Sequence, residues 1–114
     1  MKHTMNLNNN PFLKIKNGSK SIEIRLYDEK RRKLKVGDNI EFINRNNNEI
    51  LSVDIINLHL FKTFDELYNN FDKVSIGYNE NEIANPNDMS QYYNFEDIEK
   101  YGVVGIEIKK QSRK

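Results

Sequence analysis

Residues 49–61 read EILSVDIINLHLF and contain two runs of alternating apolar side chains that are out of step with each other. Leu51, Val53 and Ile55 hold odd positions. The apolar residues after them hold even positions: Ile56, Leu58 and Leu60. One extra residue in a strand moves every later side chain to the opposite face, so the change of parity predicts a β-bulge at Ile55-Ile56. Bulged strands bend, and bending lets a small sheet curl into a barrel. We therefore predict one long bent strand with both Val53 and Leu58 buried.

Three shorter segments also carry strand patterns. Residues 21–27 alternate between an apolar face and a polar face, which predicts a half-buried strand. Residues 39–45 form a second strand, joined to the long strand by an asparagine loop at 46–48. Residues 103–109 form the last strand, whose shared apolar face consists of Val104, Ile106 and Ile108.

Helix-start signals precede three segments. Asn10, followed by Pro11, is the predicted cap of a first helix that ends at Gly18. A capping box at Thr63 opens a second helix, and Asn94 precedes a short third one. Residues 72–94 form a long irregular segment between these two helices. The order helix, three strands, helices, strand is typical of an α+β fold, built as a small mixed β-barrel with flanking short helices.

Composition places the chain among ordinary globular proteins. Its 114 residues fit a single domain over 1–114, with 37% hydrophobic and 31% charged residues. Apolar runs stay well below the roughly 18 residues of a membrane helix, and residues 1–10 are too polar for a signal peptide. Cysteine is absent and only two histidines are present, so we expect no disulfide, no metal site and no cofactor. A cytoplasmic protein without a membrane partner is the expectation.

Charges are divided unevenly along the chain. The net charge is +1, which argues against a strongly electrostatic nucleic-acid binder. Residues 1–62 carry 12 Lys/Arg against 7 Asp/Glu, a net +5, whereas residues 63–114 carry 6 against 10, a net −4. This division can place a positive surface beside a carboxylate-bearing one, or it can give two solvated faces without a special role.

The run GSKSIEIR at residues 18–25 gathers three charges where a helix passes into a strand. Glu23 and Arg25 lie two apart on one strand face, about 7 Å between their Cα atoms. Lys20 follows the Gly18 turn, where we expect a surface-accessible side chain. These charges can recognise a polar ligand, or they can form an ordinary surface ion cluster. Tyr27 shares their face, so it can stack on a base or simply line the rim of the barrel.

The spacing Gly18-x-Lys20-x-x-Glu23-x-Arg25 resembles the motif of the ASCH domain, a family of the PUA-like superfamily of small β-barrels. The segments NPF at 10–12, VGD at 36–38 and YGVVGI at 101–106 are similar to the same family, so the resemblance covers nearly the whole chain. It implies a β-barrel with a cleft beside the glycine–lysine turn. PUA-like domains generally bind RNA, and ASCH domains are associated with RNA processing and transcriptional coactivation.

One bacterial branch of the family, similar in size to this chain, deacetylates N4-acetylcytidine. Its catalytic set is a lysine, a threonine three residues later and a downstream glutamate. Lys20 matches the lysine, whereas Glu23 stands at the threonine position and lacks the hydroxyl. Glu82 or Asp88, in the acidic irregular segment, is the candidate for the downstream acid. For an enzyme of this kind the predicted catalytic residues are Lys20, Glu23 and Glu82, with the first two as an acid–base pair.

Our hypothesis is that the chain is an ASCH domain that binds RNA or a modified nucleoside in this cleft. The predicted ligand-binding residues are Gly18, Lys20, Glu23, Arg25 and Tyr27. The two cations would contact phosphate or base oxygens, and the carboxylate would accept from an exocyclic amine. Two alternatives stay open: an amidohydrolase acting on N4-acetylcytidine-type nucleosides, and a protein-interaction domain of a regulatory complex.

Overall fold

The computed structural model describes residues 1–111, in which five strands form one mixed sheet. The strands are β1 (Lys2–Leu7), β2 (Ile22–Leu26), β3 (Asn39–Asn44), β4 (Ile50–Phe61) and β5 (Val103–Lys110). The helices are α1 (Asn9–Lys16), α2 (Phe64–Asn70) and α3 (Phe95–Tyr101). Strand order in the sheet is β1-β3-β4-β5-β2, so β1 and β2 are the two edge strands. The predicted α+β fold, a curled sheet with short helices, is confirmed. Within residues 1–111 no helix has both the length and the apolar character of a membrane span.

The predicted bulge in β4 is confirmed. Pairing between β4 and β5 is regular up to Ile55, opposite Ile108, and resumes at Asn57, opposite Glu107, so Ile56 is the extra residue. Val53 is fully buried as predicted, and Leu58 on the far side of the bulge is half-buried against the same core. The other two apolar residues at even positions, Ile56 and Leu60, are exposed.

Each face of the sheet packs against an apolar core of its own. One core lies under α1 and contains its buried residues Phe12 and Ile15. The other lies under α2 and contains the predicted apolar face of β2: Ile22, Ile24 and Leu26. Glu23 stands opposite Ile106 of β5, which belongs to the α1-side core, so the charged residues of β2 point to that side. The prediction that β2 is half-buried is therefore wrong: side chains on both of its faces are buried, and only Arg25 is partly exposed.

Strand β1 was not predicted, although its sequence carries a weak signal. It pairs in parallel with β3, and its two buried side chains, Met5 and Leu7, alternate with polar ones. Helix α1 follows directly after Asn8, two residues earlier than the predicted cap at Asn10. Pro11 then falls in the first turn of α1, where its missing N–H has no intrahelical partner to lose. Residues 2–7 look like a polar tail in the sequence, but they form β1. The helix that follows β1 therefore begins earlier than predicted.

The predicted starts of α2 and α3 are confirmed by capping bonds. Thr63 Oγ1 accepts a hydrogen bond from the backbone N–H of Glu66 at 3.2 Å, and Asn94 Oδ1 accepts one from Asp97 at 2.8 Å. Gly102 ends α3 with φ 72° and ψ −173°, a conformation essentially reserved for glycine. A Cβ there would also lie 2.9 Å from the carbonyl oxygen of Phe61, so this glycine lets β5 start close beside β4.

Candidate ligand-binding site

A cavity of about 650 Å³, partly open to solvent, lies where the two edge strands of the sheet approach each other. Asn6 and Leu7 of β1 line one wall, and Glu23, Ile24 and Arg25 of β2 line the opposite wall. Residues 76–93 of the irregular segment cover the cavity, and we call this stretch the cover loop. The predicted irregularity of 72–94 thus corresponds to one wall of a pocket, broken only by a 3-10 turn at Pro86–Gln91.

Three of the predicted residues form a buried ion cluster in this cavity. Glu23 Oε1 lies 3.2 Å from Lys20 Nζ, and Glu23 Oε2 accepts a hydrogen bond from Arg25 Nε at 2.6 Å. Lys20 is only 8% exposed and Glu23 only 5%. The expectation of a surface-accessible lysine is therefore wrong, because the cover loop closes over the turn that carries Lys20.

The ion cluster also joins the two edges of the sheet. Arg25 Nη2 donates a hydrogen bond at 3.1 Å to the backbone carbonyl of Asn6 in β1. Because β1 and β2 are the edge strands, this contact spans the opening of the curled sheet with a side chain. The opening therefore becomes a cavity with charged groups on its floor.

Electrostatics keep the cluster ionised. Burial disfavours the charged form of Glu23, but the adjacent cations Lys20 and Arg25 outweigh burial and hold the pKa of Glu23 below its ordinary value. Burial likewise disfavours the charged form of Arg25, and the attraction of Glu23 outweighs it and raises the pKa of Arg25. At neutral pH Glu23 is therefore a carboxylate, held beside the guanidinium of Arg25.

Two lysines fasten the cover loop to the rest of the domain. Lys20 Nζ donates to the carbonyl oxygen of Ile76 at 3.2 Å, and Lys14 Nζ of α1 donates to that of Gly77 at 2.6 Å. Gly77 has φ 113°, and a Cβ there would lie 3.2 Å from Lys20 Nζ. Glycine thus allows two consecutive carbonyls to meet two different cations.

Tyrosines form much of the cavity wall on the loop side. Tyr78 donates a hydrogen bond to Asp88 Oδ2 at 2.6 Å, and its hydroxyl lies 3.0 Å from that of Tyr68. Burial and these two hydrogen bonds raise the pKa of Tyr78, so its hydroxyl stays protonated and donating. Tyr93 stacks on Phe64 of the α2-side core, whereas Tyr92 is 63% exposed where it lines the cavity.

The structure brings together most of the residues singled out from the sequence. Lys20, Glu23 and Arg25 line the cavity, and so do both candidate acids, Glu82 and Asp88. Gly18 and Tyr27 do not line it. Gly18 only ends α1, at φ 90°, and the ring of Tyr27 is covered by the guanidinium of Arg32 at 4.5 Å.

Other cavity residues were missed. Asn6, Lys14, Arg45 and Tyr68 line the cavity, yet they come from separate parts of the chain (β1, α1, the turn after β3, and α2) and share no local motif. Only the pairing of β1 with β3 and the path of the cover loop bring them together. Within residues 1–111 no three His, Asp or Glu side chains gather in a way that could hold a metal ion.

Comparison with known proteins places the chain in a family. Residues 5–112 match the ASCH domain family. The crystal structure of hypothetical protein PH0355 is 33% identical with a TM-score of 0.82, over 97% of this chain and 100% of that one. The solution NMR structure of protein PF0455 from Pyrococcus furiosus is 32% identical with a TM-score of 0.78, over 99% and 100%. No curated protein matches. The chain therefore belongs to the ASCH domain family and has its PUA-like fold, as the motif at residues 18–25 predicted.

Proposed function

We propose that this ASCH domain binds a nucleoside, either free or as an exposed nucleotide of RNA, in the cavity between β1 and β2. The observation that carries the proposal is the buried Lys20–Glu23–Arg25 cluster on the floor of a cavity walled by tyrosines. Ligand sites usually combine apolar and aromatic walls with a few fixed polar groups, in cavities of about 300–1,000 Å³. The cavity has this size, and its lining combines tyrosines and apolar side chains with a larger share of polar and charged groups.

Arg25 supplies the donors that a base or sugar oxygen needs. Its Nε donates a hydrogen bond to the Glu23 carboxylate, and its Nη2 donates one to the backbone carbonyl of Asn6. Within the described residues Nη1 makes no hydrogen bond. A guanidinium carries five N–H donors in a rigid plane, so fixing two of its nitrogens aims the third. Glu23 in turn keeps unused lone pairs that can accept from an exocyclic amine.

Aromatic walls supply the second element of nucleoside recognition. Exposed bases are commonly held by stacking on tyrosine, phenylalanine or arginine planes. Tyr92 has a largely free ring at the cavity, whereas Tyr68 and Tyr78 are fixed by their hydroxyl contact. A base that enters between floor and loop can thus stack on tyrosine while its polar edge faces the ion cluster.

The first test is replacement of Arg25. We expect Arg25→Ala to weaken binding of cytidine by about tenfold or more, because hydrogen bonds to charged groups contribute about 1.5–3 kcal/mol. Isothermal titration calorimetry or NMR chemical-shift titration measures the effect. Arg32→Ala is the matched control, since Arg32 is an exposed arginine outside the cavity, and it should bind as the unmodified protein does.

A labelled single-stranded RNA, titrated at low and physiological salt, forms the second arm of this test. Its binding should be weak and fall with salt, because a chain of net charge +1 has few cations to displace counterions. Absence of binding by both cytidine and RNA would contradict the proposal and favour the protein-interaction alternative.

Amide hydrolysis is the second candidate, and the observation in its favour is that Lys20, Glu23, Glu82 and Asp88 share one cavity. A general base works best with a pKa near the working pH, whereas the pKa of Glu23 is lowered and both its oxygens face cations. We therefore expect no efficient release of cytidine from N4-acetylcytidine. Chromatographic detection of cytidine checks this, and turnover that disappears in both Lys20→Ala and Glu23→Gln would make hydrolysis the primary function.

A further inference from the structure

We infer that the cavity has a phosphate subsite formed by Lys14 and Arg45, so that its preferred ligand is a nucleotide carrying a phosphate rather than a neutral nucleoside. The inference rests on the proposed function and adds the charge and the orientation of the ligand. Neither residue belongs to the Lys20–Glu23–Arg25 cluster or to the motif at residues 18–25. Both nevertheless line the same cavity as that cluster.

The two cations differ from most other fixed cations of the domain in what they contact. Lys16, Lys20 and Arg25 each face a carboxylate. Lys14 instead donates to the carbonyl oxygen of Gly77, and Arg45 Nη1 donates to the side-chain oxygen of Asn8 at 3.2 Å. Within residues 1–111 neither forms an ion pair. Their positive charges are therefore not neutralised locally and act on whatever enters the cavity.

The backbone fixes Arg45 beside the junction of β1 and α1. The N–H of Arg45 donates to the carbonyl of Leu7, and buried Asn44 donates from Nδ2 to Asn9 Oδ1 at 2.9 Å. These two bonds fix the end of β3 against the junction of β1 and α1. Lys14 reaches the cavity from α1, and its Nζ lies at the start of the cover loop, where it donates to the carbonyl of Gly77.

Charges of opposite sign line the cover loop. Glu82 and Asp88 line the cavity there, and their oxygens accept hydrogen bonds from the N–H of Asn79 and the hydroxyl of Tyr78. Both donors are uncharged, and within residues 1–111 neither carboxylate forms an ion pair. A ligand phosphate is thus repelled by the carboxylates of the cover loop and attracted to the α1 side of the cavity, where an arginine fork and a lysine suit its oxygens. The base is directed toward the tyrosines and the carboxylates, which accept from an amino group such as N4 of cytosine.

The test compares cytidine with cytidine 5′-monophosphate by calorimetric titration. We expect the monophosphate to bind about tenfold more tightly or better, since one or two charge-assisted hydrogen bonds to the phosphate are gained. Arg45→Ala should remove most of this preference while leaving cytidine binding nearly unchanged. Lys14→Met should also remove most of the preference, but it should weaken cytidine binding as well, because Lys14 holds the cover loop at Gly77. Lys16→Ala is the matched control: it removes the same charge from the same helix, outside this cavity, and should retain the preference.

Each outcome separates the inference from the proposed function. Equal binding of the two ligands overturns the phosphate subsite and leaves nucleoside binding intact. Equal loss of preference in Lys16→Ala also overturns it, because general charge would then explain the effect. No binding of either ligand overturns the proposed function and the inference with it. The dinucleotide cytidylyl-(3′→5′)-cytidine shows whether the bound phosphate belongs to an RNA chain or to a free nucleotide. Dinucleotide binding that depends on Arg45 assigns the phosphate to an RNA chain. Binding of the monophosphate but not of the dinucleotide assigns it to a free nucleotide.

Discussion

Glu23→Ala should lower the free energy of unfolding by about 3–5 kcal/mol, the usual effect of removing one partner from a buried ion cluster. Glu23 is 5% exposed and stands between Lys20 and Arg25. Its removal leaves two cations facing each other without a counter-charge, and burial then opposes both of them. Chemical denaturation followed by circular dichroism measures the loss.

A matched control is available in Glu49, which forms an ion pair with Lys16 on the surface. Glu49→Ala removes the same carboxylate from a solvent-exposed pair, and its expected effect is about 1 kcal/mol or less. Similar small losses in both variants would show that the cluster on the cavity floor is not a buried one. The difference between the two variants, rather than either value alone, is the quantity to compare.

The same carboxylate predicts a pH dependence with a defined sign. The pKa of Glu23 in the folded protein lies below its ordinary value of 4.5. Its contribution to stability is therefore fully present above that ordinary value and is lost as the pH falls through the lower, folded pKa. Glu23→Gln should flatten this acid-side part of the stability profile, and denaturation at a series of pH values measures the change.

Ile55→Ala should destabilise the domain by about 2–5 kcal/mol, whereas the neighbouring Ile56→Ala should change its stability by about 0.5 kcal/mol or little more. Ile55 is 1% exposed in the α1-side core, and Ile56 is the extra residue of the bulge, 44% exposed. The two substitutions remove the same atoms from adjacent positions. Their difference therefore measures the register of β4 directly.

Thermal and urea denaturation of the two variants measure their losses of stability. If the pairing of β4 and β5 continued without a bulge, every residue after Ile55 would lie on the opposite face. Losses of equal size, or a larger loss from Ile56→Ala, would contradict the register described here. The comparison needs no ligand, so it tests the fold independently of the proposed function.

The sequence predicts well those features that depend on neighbours along the chain. Side-chain parity indicated the bulge at Ile56, and the Thr63 capping box marked the start of α2. The spacing of Lys20, Glu23 and Arg25 indicated a charge cluster, which the turn after α1 does bring together. Each of these signals lies within about ten residues, where backbone geometry alone fixes the relation.

The rest depends on contacts between distant segments. Periodicity shows that Glu23 and Ile22 point to opposite faces of β2, but not that both faces are covered. The cover for Glu23 comes from a loop more than fifty residues away, through the contact of Lys20 with Ile76. Strand β1 was overlooked because only Met5 and Leu7 alternate in a polar stretch, and an edge strand needs no more than one apolar face.

The contact of Arg25 with the carbonyl of Asn6 also bears on the solubility of the domain. Edge strands expose unpaired N–H and C=O groups, and these are templates on which another chain can add a strand and aggregate. Here the two edges turn toward each other, and Ser75 further occupies the start of β2 by accepting from the N–H groups of Ser21 and Ile22. A sheet curled in this way protects its edges as a closed barrel does, while the gap it keeps is the cavity of about 650 Å³ between β1 and β2.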